Sequence, residues 1–391
     1  MKNSRSLLRN TFSSQGILLF LFLIVQLTIS SKGIHVYIKD AFCTIAIIAL
    51  FAKYAKVKGV MSLVLFCVIN FTLMFANHCI NSNFELFSLL IGPLAYFLFG
   101  YSVVDKSRSD DEIAVFFLFT IISSSLMLWI NNIQDANANG LINTTRAILN
   151  ENDIQEQSAT LQGLIASLGI AGIAYPVSHG FKKGISFLYF ISALLSLFCV
   201  IHLVNRTGLF VLLATVFVVM LYTARKHKGV IILVAIIALI IYYTISQSGM
   251  FVTEALNAYQ FRNEDSSISS GGMRVDLWKQ GFRDMIEHPL GWNHLSHYYC
   301  HNLWLDVARC VGVIPFVILV VISIKNYWTT FKLYKIKGCP MNGFIVGINV
   351  CMFLSAFVEP VMEAVSTYFY LLCMVWGMQR AYCNDMTTRN Q

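Results

Sequence analysis

Charged residues are scarce in this chain, because Asp, Glu, Lys and Arg together make up only 12% of its 391 residues. A soluble domain carries about 25% charged residues, so this composition excludes a water-soluble fold. The sequence also lacks the cysteine spacing of a zinc ribbon, a phosphate-cradling glycine loop, internal repeats and low-complexity segments. What it has instead is apolar residues: they form 57% of the chain, and the mean hydropathy is +0.66.

Apolar runs of nearly membrane-spanning length recur from one end of the chain to the other. About twenty apolar residues are needed for a helix to cross a hydrocarbon core of roughly 30 Å. We therefore predict an all-α, polytopic membrane protein with a single integral membrane domain over residues 1–391. The twelve predicted spans are Gln15–Ile29, Ala41–Tyr54, Val60–Ala76, Phe84–Val103, Ile113–Ile130, Ala159–Val177, Gly184–Val204, Gly208–Thr223, Gly229–Ile245, Val307–Ile324, Gly343–Val358 and Met362–Met378.

The positive charges predict the orientation of these spans. Loops rich in Lys and Arg stay in the cytoplasm, and most of the 28 basic residues fall inside when both termini are placed there. The net charge of +8 then reflects topology and does not indicate nucleic-acid binding. Two long loops are expected outside, at 131–158 and at 246–306.

Ionisable and aromatic side chains are concentrated in the second outer loop. Between Arg262 and Asp306 lie four of the nine histidines and three of the six tryptophans, so we expect the chemistry of the protein here. Apolar residues at spacings of three and four predict a short amphipathic helix over Met273–Met285, ended by His288–Gly291. Helical periodicity resumes at His301 and is expected to continue without a break into the tenth span.

A further charge, Arg206, lies between the seventh and eighth spans at the predicted outer face. One interpretation is an arginine that extends its charged end toward water from a span end. The other is functional, because Arg206, Arg274 and His301 are all predicted on one side of the membrane. Both interpretations remain open from the sequence.

Several short motifs resemble those of the O-antigen polymerase and O-antigen ligase superfamily. They are Asn205-Arg-Thr-Gly-Leu209, Arg274 four residues before Trp278, His288-Pro-Leu-Gly291, and His301-Asn302 followed by Gly312. The resemblance is strongest from Asn205 to Phe316. The segments Cys300–Asp306 and Gly312–Phe316 look more like the polymerase branch, and Pro315 departs from the ligase pattern. The paired arginine patterns of polymerases are not found around Arg146 or Arg274.

The resemblance implies a metal-independent glycosyltransferase without a cofactor, which polymerises undecaprenyl-diphosphate-linked O-antigen repeat units. The active site would face the periplasm from the bacterial inner (cytoplasmic) membrane. Implied partners are the lipid-linked oligosaccharide, membrane lipids, and a chain-length regulator and flippase of the same pathway. One alternative is an O-antigen ligase that transfers the glycan to lipid A–core. A different class is a membrane transporter of a polysaccharide precursor, but ionisable residues near span centres, which transporters usually carry, are almost absent here.

Roles for individual residues follow from this resemblance. Arg206 and Arg274 would bind the departing diphosphate, because a guanidinium offers several donors to phosphate oxygens. His301 would act as the general base that takes the proton of the acceptor hydroxyl. Asn302, His297 and Arg262 are possible supporting residues.

Other patterns in the same region have competing interpretations. His294, His297 and His301 have a spacing that would place three zinc ligands on one helical face, although no carboxylate follows at ligand spacing. Trp278, Trp292 and Trp304 favour interfacial anchoring over sugar stacking. Asp306 and Glu359, near span ends, are candidates for pairing with an arginine in a structural role. A disulfide between Cys79 and Cys300 is a less favoured alternative to two separate thiols.

Overall fold

The computed structural model describes residues 14–29, 34–77, 83–107, 109–143, 147–150, 153–181, 184–223, 274–293, 298–336, 339–359, 361 and 366–389. The ninth predicted span, Gly229–Ile245, lies outside these residues, as do Arg262, His294, His297 and Cys79.

The described residues are almost entirely helical, which confirms the predicted all-α membrane fold. In chain order the helices are α1 Ser14–Leu27, α2 Ile34–Tyr54, α3 Val60–Ala76, α4 Asn83–Lys106, α5 Asp110–Asn139, α6 Ala159–Ala171, α7 Ala174–His179, α8 Gly184–His202, α9 Arg206–Thr223, α10 Arg274–Glu287, α11 Leu303–Val311, α12 Val313–Lys335, α13 Pro340–Val358 and α14 Ser366–Arg389. Seven of the described helices are long and apolar enough to cross a membrane, and α1 and α3 are shorter apolar helices.

The helices pack closely where glycine removes the side chain between them. A Cβ atom on Gly377 of α14 would lie 2.0 Å from the carbonyl oxygen of Phe97 in α4. A Cβ atom on Gly100 of α4 would lie 2.2 Å from the carbonyl oxygen of Met374 in α14. Helices in lipid associate through such close contacts because both lipid and helix surfaces are apolar.

The sixth predicted span, Ala159–Val177, was wrong as one continuous helix. The structure divides it into α6 and α7 at Gly172–Ile173. Pro176 has no N–H group with which to continue the helical ladder to the carbonyl of Gly172. That carbonyl instead accepts a hydrogen bond from the backbone N–H of Tyr175 at 3.0 Å.

The predicted continuous helix from His301 into the tenth span was also wrong. It breaks at Gly312, whose φ of 86° lies in the left-handed region that favours glycine. A Cβ atom there would lie 2.2 Å from the carbonyl oxygen of Pro289, and the N–H of Val313 bonds to that same oxygen at 2.9 Å. As a result α11 is a separate, buried helix, and the membrane-length helix α12 begins only at Val313.

The first long loop was predicted over 131–158, but α5 continues through Asn139. The loop also contains a small antiparallel hairpin of strands β1 Ala147–Asn150 and β2 Asp153–Ser158, which pairs Ala147 with Ser158. These two strands are the regular non-helical structure in the described part of the chain. In the second loop, the predicted amphipathic helix is present as α10, and its end at His288 is confirmed.

Candidate functional site

Arg206 and Thr207 are placed by a turn between α8 and α9. Asn205, which is buried, accepts a hydrogen bond through Oδ1 from the N–H of Gly208 at 3.0 Å and so caps α9. The preceding residue, Val204, has a φ of 50°. That conformation is unusual for a β-branched side chain, so the surrounding contacts must hold this turn in place.

Arg274, the first residue of α10, reaches this turn from the second outer loop. Its Nη1 donates to Oγ1 of Thr207 at 3.3 Å, and its Nη2 donates to Oε1 of Glu359 at 2.8 Å. Thr207 in turn donates its hydroxyl hydrogen to the same Oε1 at 2.8 Å. The start of α9, the start of α10 and the end of α13 are thereby joined through one carboxylate oxygen.

The second oxygen of Glu359 faces His301. Nδ1 of His301 lies 3.7 Å from Oε2 of Glu359, which is beyond the range of a normal hydrogen bond. Both atoms are buried and have no hydrogen-bond partner among the residues that the structure describes. A small movement of the imidazole would therefore close a carboxylate–histidine hydrogen bond.

The backbone around His301 is held by its neighbours. His301 has a φ of 52°, a left-handed conformation that histidine adopts more readily than most residues. The buried carboxylate of Asp306 accepts hydrogen bonds from the N–H of Cys300 at 2.7 Å and the N–H of Asn302 at 3.1 Å. These two bonds fix the backbone on both sides of the histidine.

Asn302 anchors the same segment to two helices. Its Oδ1 accepts hydrogen bonds from the N–H groups of Trp304 and Leu305, both at 3.2 Å, and so caps α11. Its Nδ2 donates to the carbonyl oxygen of Phe357 at 3.0 Å, near the end of α13. In this arrangement Asn302 fixes the segment, and the side chain that faces the imidazole is Glu359.

The charges around Glu359 favour its ionised form. Burial by itself raises the pKa of this carboxyl group. His301, the charge of Arg274 and the Thr207 hydroxyl outweigh burial, so that the pKa of Glu359 lies below its usual range. Only 5% of the Glu359 side chain is exposed, whereas 26% of Arg274 and 32% of His301 remain exposed. The guanidinium of Arg274 and the imidazole of His301 are therefore accessible to a substrate, whereas the carboxylate of Glu359 is buried.

The structure brings together Arg274 and His301, and places Thr207, the neighbour of Arg206, in the same network. Arg206 itself is half-buried at the start of α9. His297 and Arg262 lie outside the described residues, as does His294, so two of the three candidate zinc ligands do. Among the residues that the structure does describe, no group of three His, Cys, Asp or Glu side chains could hold a metal ion.

The tryptophans differ from the expected interfacial anchors. Trp292 is only 1% exposed, and Trp304 is 8% exposed and donates its Nε1 hydrogen to Oγ of Ser323 at 3.0 Å. Trp278 packs its ring against Phe357. Trp292 and Cys300 belong to the same small hydrophobic core, which supports the segment that carries His301.

Thr207 and Glu359 received no functional role from the sequence. Glu359 was expected to pair with an arginine, and its ion pair with Arg274 confirms that expectation. Its contact with His301 could not be read from spacing, because the two residues are 58 positions apart with three complete helices between them. The available signal for Thr207 was its position beside Arg206 in a polar triplet between two spans.

Comparison with known protein families finds a similarity over about a third of the chain. Residues 191–320 match the family model described as O-antigen ligase. This match confirms the predicted resemblance to the O-antigen polymerase and ligase superfamily, and it includes Arg206, Arg274 and His301. A search of the curated proteins finds no match to the chain. The family supports a function of the O-antigen polymerase or ligase type: an enzyme that acts on glycans, with a lipid-linked glycan as substrate, in a multi-pass membrane protein.

The lowered pKa of Glu359 predicts how stability depends on pH. Glu359→Gln removes the ion pair, and we expect it to lower the free energy of unfolding by about 1–3 kcal/mol at pH 7. Because the folded-state pKa is lowered, the advantage of the wild type is complete above the ordinary Glu pKa of about 4.3. It should disappear as the pH falls through the lowered value. Thermal unfolding of both proteins in nanodiscs between pH 3 and pH 8 measures this difference.

Glu287→Gln is the matched control, because Glu287 is exposed at the end of α10. It should unfold like the wild type at pH 7. A stability difference for Glu359→Gln that stays constant down to pH 3 would contradict the ion-pair assignment.

Proposed function

We propose that the protein is a glycosyltransferase that polymerises undecaprenyl-diphosphate-linked O-antigen repeat units. The site would face the periplasm from the inner membrane, as the distribution of lysine and arginine predicts. The observation that carries this proposal is the Arg274–Glu359–His301 arrangement, in which a cation and an imidazole share one buried carboxylate. Together with the family match over 191–320, it provides a diphosphate-binding group beside a candidate base.

The arginines would stabilise the leaving group. The diphosphate departs with at least two negative charges, and fixed cations aimed at developing charge usually make the largest catalytic contribution. Arg274 uses Nη1 and Nη2 for one hydrogen bond each to Thr207 and Glu359. A guanidinium has five N–H donors, so donors remain for phosphate oxygens. Arg206 would contribute a second cation from the adjoining turn.

His301 would accept the proton of the attacking hydroxyl. When Glu359 Oε2 accepts a hydrogen bond from Nδ1–H, Nε2 of the imidazole is left as the proton acceptor, as in other carboxylate–histidine pairs. The acceptor oxygen bonds to the anomeric carbon while the bond from that carbon to the diphosphate oxygen breaks. The bonding electrons leave with the diphosphate, and the hydroxyl proton moves to Nε2. This single displacement inverts the anomeric centre.

Diphosphate is already a good leaving group, so the proposed reaction requires neither a nucleotide nor a metal ion. The donor is the lipid-linked oligosaccharide, and lipids surround the helices. A flippase would supply the donor on the same side of the membrane, and a chain-length regulator would act on the growing product. The location of the network at helix ends, rather than halfway along the spans, favours transfer over transport.

The second candidate is an O-antigen ligase, the function named in the description of the matched family. It would use the same donor and the same residues, but its acceptor would be lipid A–core. The two candidates predict different products in a cell that lacks the protein.

Deletion of the gene separates the two candidates. If the protein polymerises repeats, the deletion strain should make lipopolysaccharide whose core carries a single repeat unit. If it is a ligase, the strain should make bare core and accumulate carrier-linked polymer. Gel analysis of lipopolysaccharide and of the extracted carrier lipid measures both products, and a wild-type ladder in the deletion strain would contradict both functions.

Replacement of the arginines tests the diphosphate site. Arg206→Ala and Arg274→Ala should each abolish glycan transfer while membrane abundance stays near normal. Lysine at either position should restore only part of the activity, because it keeps the charge and loses the planar set of donors. Arg283→Ala on the exposed side of α10 is the matched control and should remain active. Full transfer by both alanine variants of the site would remove these arginines from the mechanism.

Replacement of His301 tests the base. His301→Ala and His301→Gln should lower transfer by about 10²–10⁴-fold, the usual contribution of a general base. Both variants should still bind undecaprenyl diphosphate, because the arginines remain. His288→Ala, which changes a histidine at the end of α10, is the control and should transfer glycan at nearly the wild-type rate. His297→Ala should lower the transfer rate less than His301→Ala does. Transfer by His301→Ala at more than about a tenth of the wild-type rate would contradict the assignment.

A further inference from the structure

His202, the last residue of α8, forms a second polar cluster next to the site. Its side chain is fully buried. Nε2 lies 2.7 Å from Oδ2 of Asp135, near the end of α5, and Nδ1 lies 2.9 Å from the carbonyl oxygen of Leu141. The proposed transfer reaction uses none of these residues.

The partners of His202 occupy both nitrogens of its ring. Nδ1 faces the carbonyl oxygen of Leu141, and Nε2 faces the carboxylate of Asp135. Oδ1 of Asp135 also accepts from Asn139 Nδ2, and Oδ2 also accepts from Asn143 Nδ2, both at 2.8 Å. Both carboxylate oxygens of Asp135 are thus occupied by donors, which favours the ionised form of Asp135 and pairs it closely with the imidazole of His202.

This ion pair is connected to the turn that carries Arg206. The N–H of Asn143 donates to the carbonyl oxygen of His202 at 2.7 Å. The loop after α5 therefore bonds to the backbone of His202 through Asn143 and to its side chain through Leu141. The chain then passes through the left-handed Val204 to the capping residue Asn205. Thr207 at the far side of the turn is fixed by Glu359.

The turn between α8 and α9 is therefore held at both ends, and its α8 end depends on the contacts of His202. A valine with a φ of 50° persists only where its surroundings determine the conformation. Backbone hydrogen bonds from the N–H of Val204 to Ile201 at 3.0 Å and from the N–H of Asn205 to Val200 at 2.9 Å tie the turn to the end of α8. The ion pair and the bond from Asn143 in turn attach that end of α8 to the loop after α5. Without these two contacts, the end of α8 and the turn that carries Arg206 would be held less firmly.

We propose that the His202–Asp135 ion pair positions Arg206 for the carrier diphosphate, with His202 and Asp135 as positioning residues. This inference rests on the proposed function, since it assigns the ion pair to the diphosphate-binding part of that site. It couples the first outer loop to the site through α5 and α8. The effect should fall on donor binding and not on proton transfer to His301.

Asp135→Asn tests the proposal, because it keeps the size of the side chain and removes its charge. Hydrogen bonds to charged groups typically contribute enough for a ten- to hundredfold effect. We expect affinity for undecaprenyl diphosphate, measured on the purified protein in nanodiscs, to fall about tenfold or more. The KM for the lipid-linked donor should rise, with a smaller change in kcat. Asp135→Glu should recover part of the affinity because it restores the charge.

Two comparisons separate positioning from general damage. Asp105→Asn removes a carboxylate that accepts hydrogen bonds from Tyr54 and Lys53 at the opposite end of the helices, and it should bind undecaprenyl diphosphate normally. In a double-mutant cycle, Asp135→Asn combined with Arg206→Lys should bind little worse than Arg206→Lys alone, because residues that act through one another are not additive. If Asp135→Asn fails to accumulate, His202→Gln provides the same comparison, because its amide still donates but carries no charge.

The outcomes distinguish this proposal from the proposed function. Normal donor affinity in Asp135→Asn and His202→Gln, with Arg206→Ala inactive, would overturn the positioning role and leave the transfer mechanism intact. Additive effects in the double-mutant cycle would also overturn it. An active Arg206→Ala would instead overturn the diphosphate site itself.

Discussion

One buried carboxylate holds the candidate site together. Glu359 lies just past the end of α13, where the helix dipole disfavours negative charge, and burial disfavours it further. Its ionised form is sustained by the guanidinium of Arg274, the hydroxyl of Thr207 and the nearby imidazole of His301. Those same contacts connect three chain segments that are far apart in the sequence. The electrostatic requirement of one side chain thus determines where the guanidinium of Arg274 and the imidazole of His301 lie relative to each other.

Rigid backbone supports this carboxylate network from both sides. His301 and Val204 have left-handed conformations, and each is fixed by hydrogen bonds from adjoining segments. Gly312 allows α11 to end against Pro289, so the segment with His301 rests on a short helix buried within the protein. The membrane-length helix α12 starts afterwards.

Much of the fold and part of the site could be predicted from the sequence. Apolar run length predicted most helix positions because hydrocarbon thickness sets that length directly. The breaks at Gly172 and Gly312 were missed, since hydropathy is insensitive to backbone direction and a buried helix such as α11 is as apolar as a span. Arg206, Arg274 and His301 could be selected from their motifs. The bridging role of Glu359 could not, because it depends on the three-dimensional approach of helices far apart in sequence.

The hydrogen bond between Thr207 and Glu359 joins residues that are 152 positions apart. At a synthesis rate of about 5–20 residues per second, Arg206 and Thr207 leave the ribosome roughly eight to thirty seconds before Glu359. During that interval Glu359 has not been synthesised, so neither Arg274 nor His301 has its carboxylate as a partner. The site is therefore completed only when α13 enters the membrane. A chain interrupted before that point has the arginines and the histidine but lacks the group that brings them together.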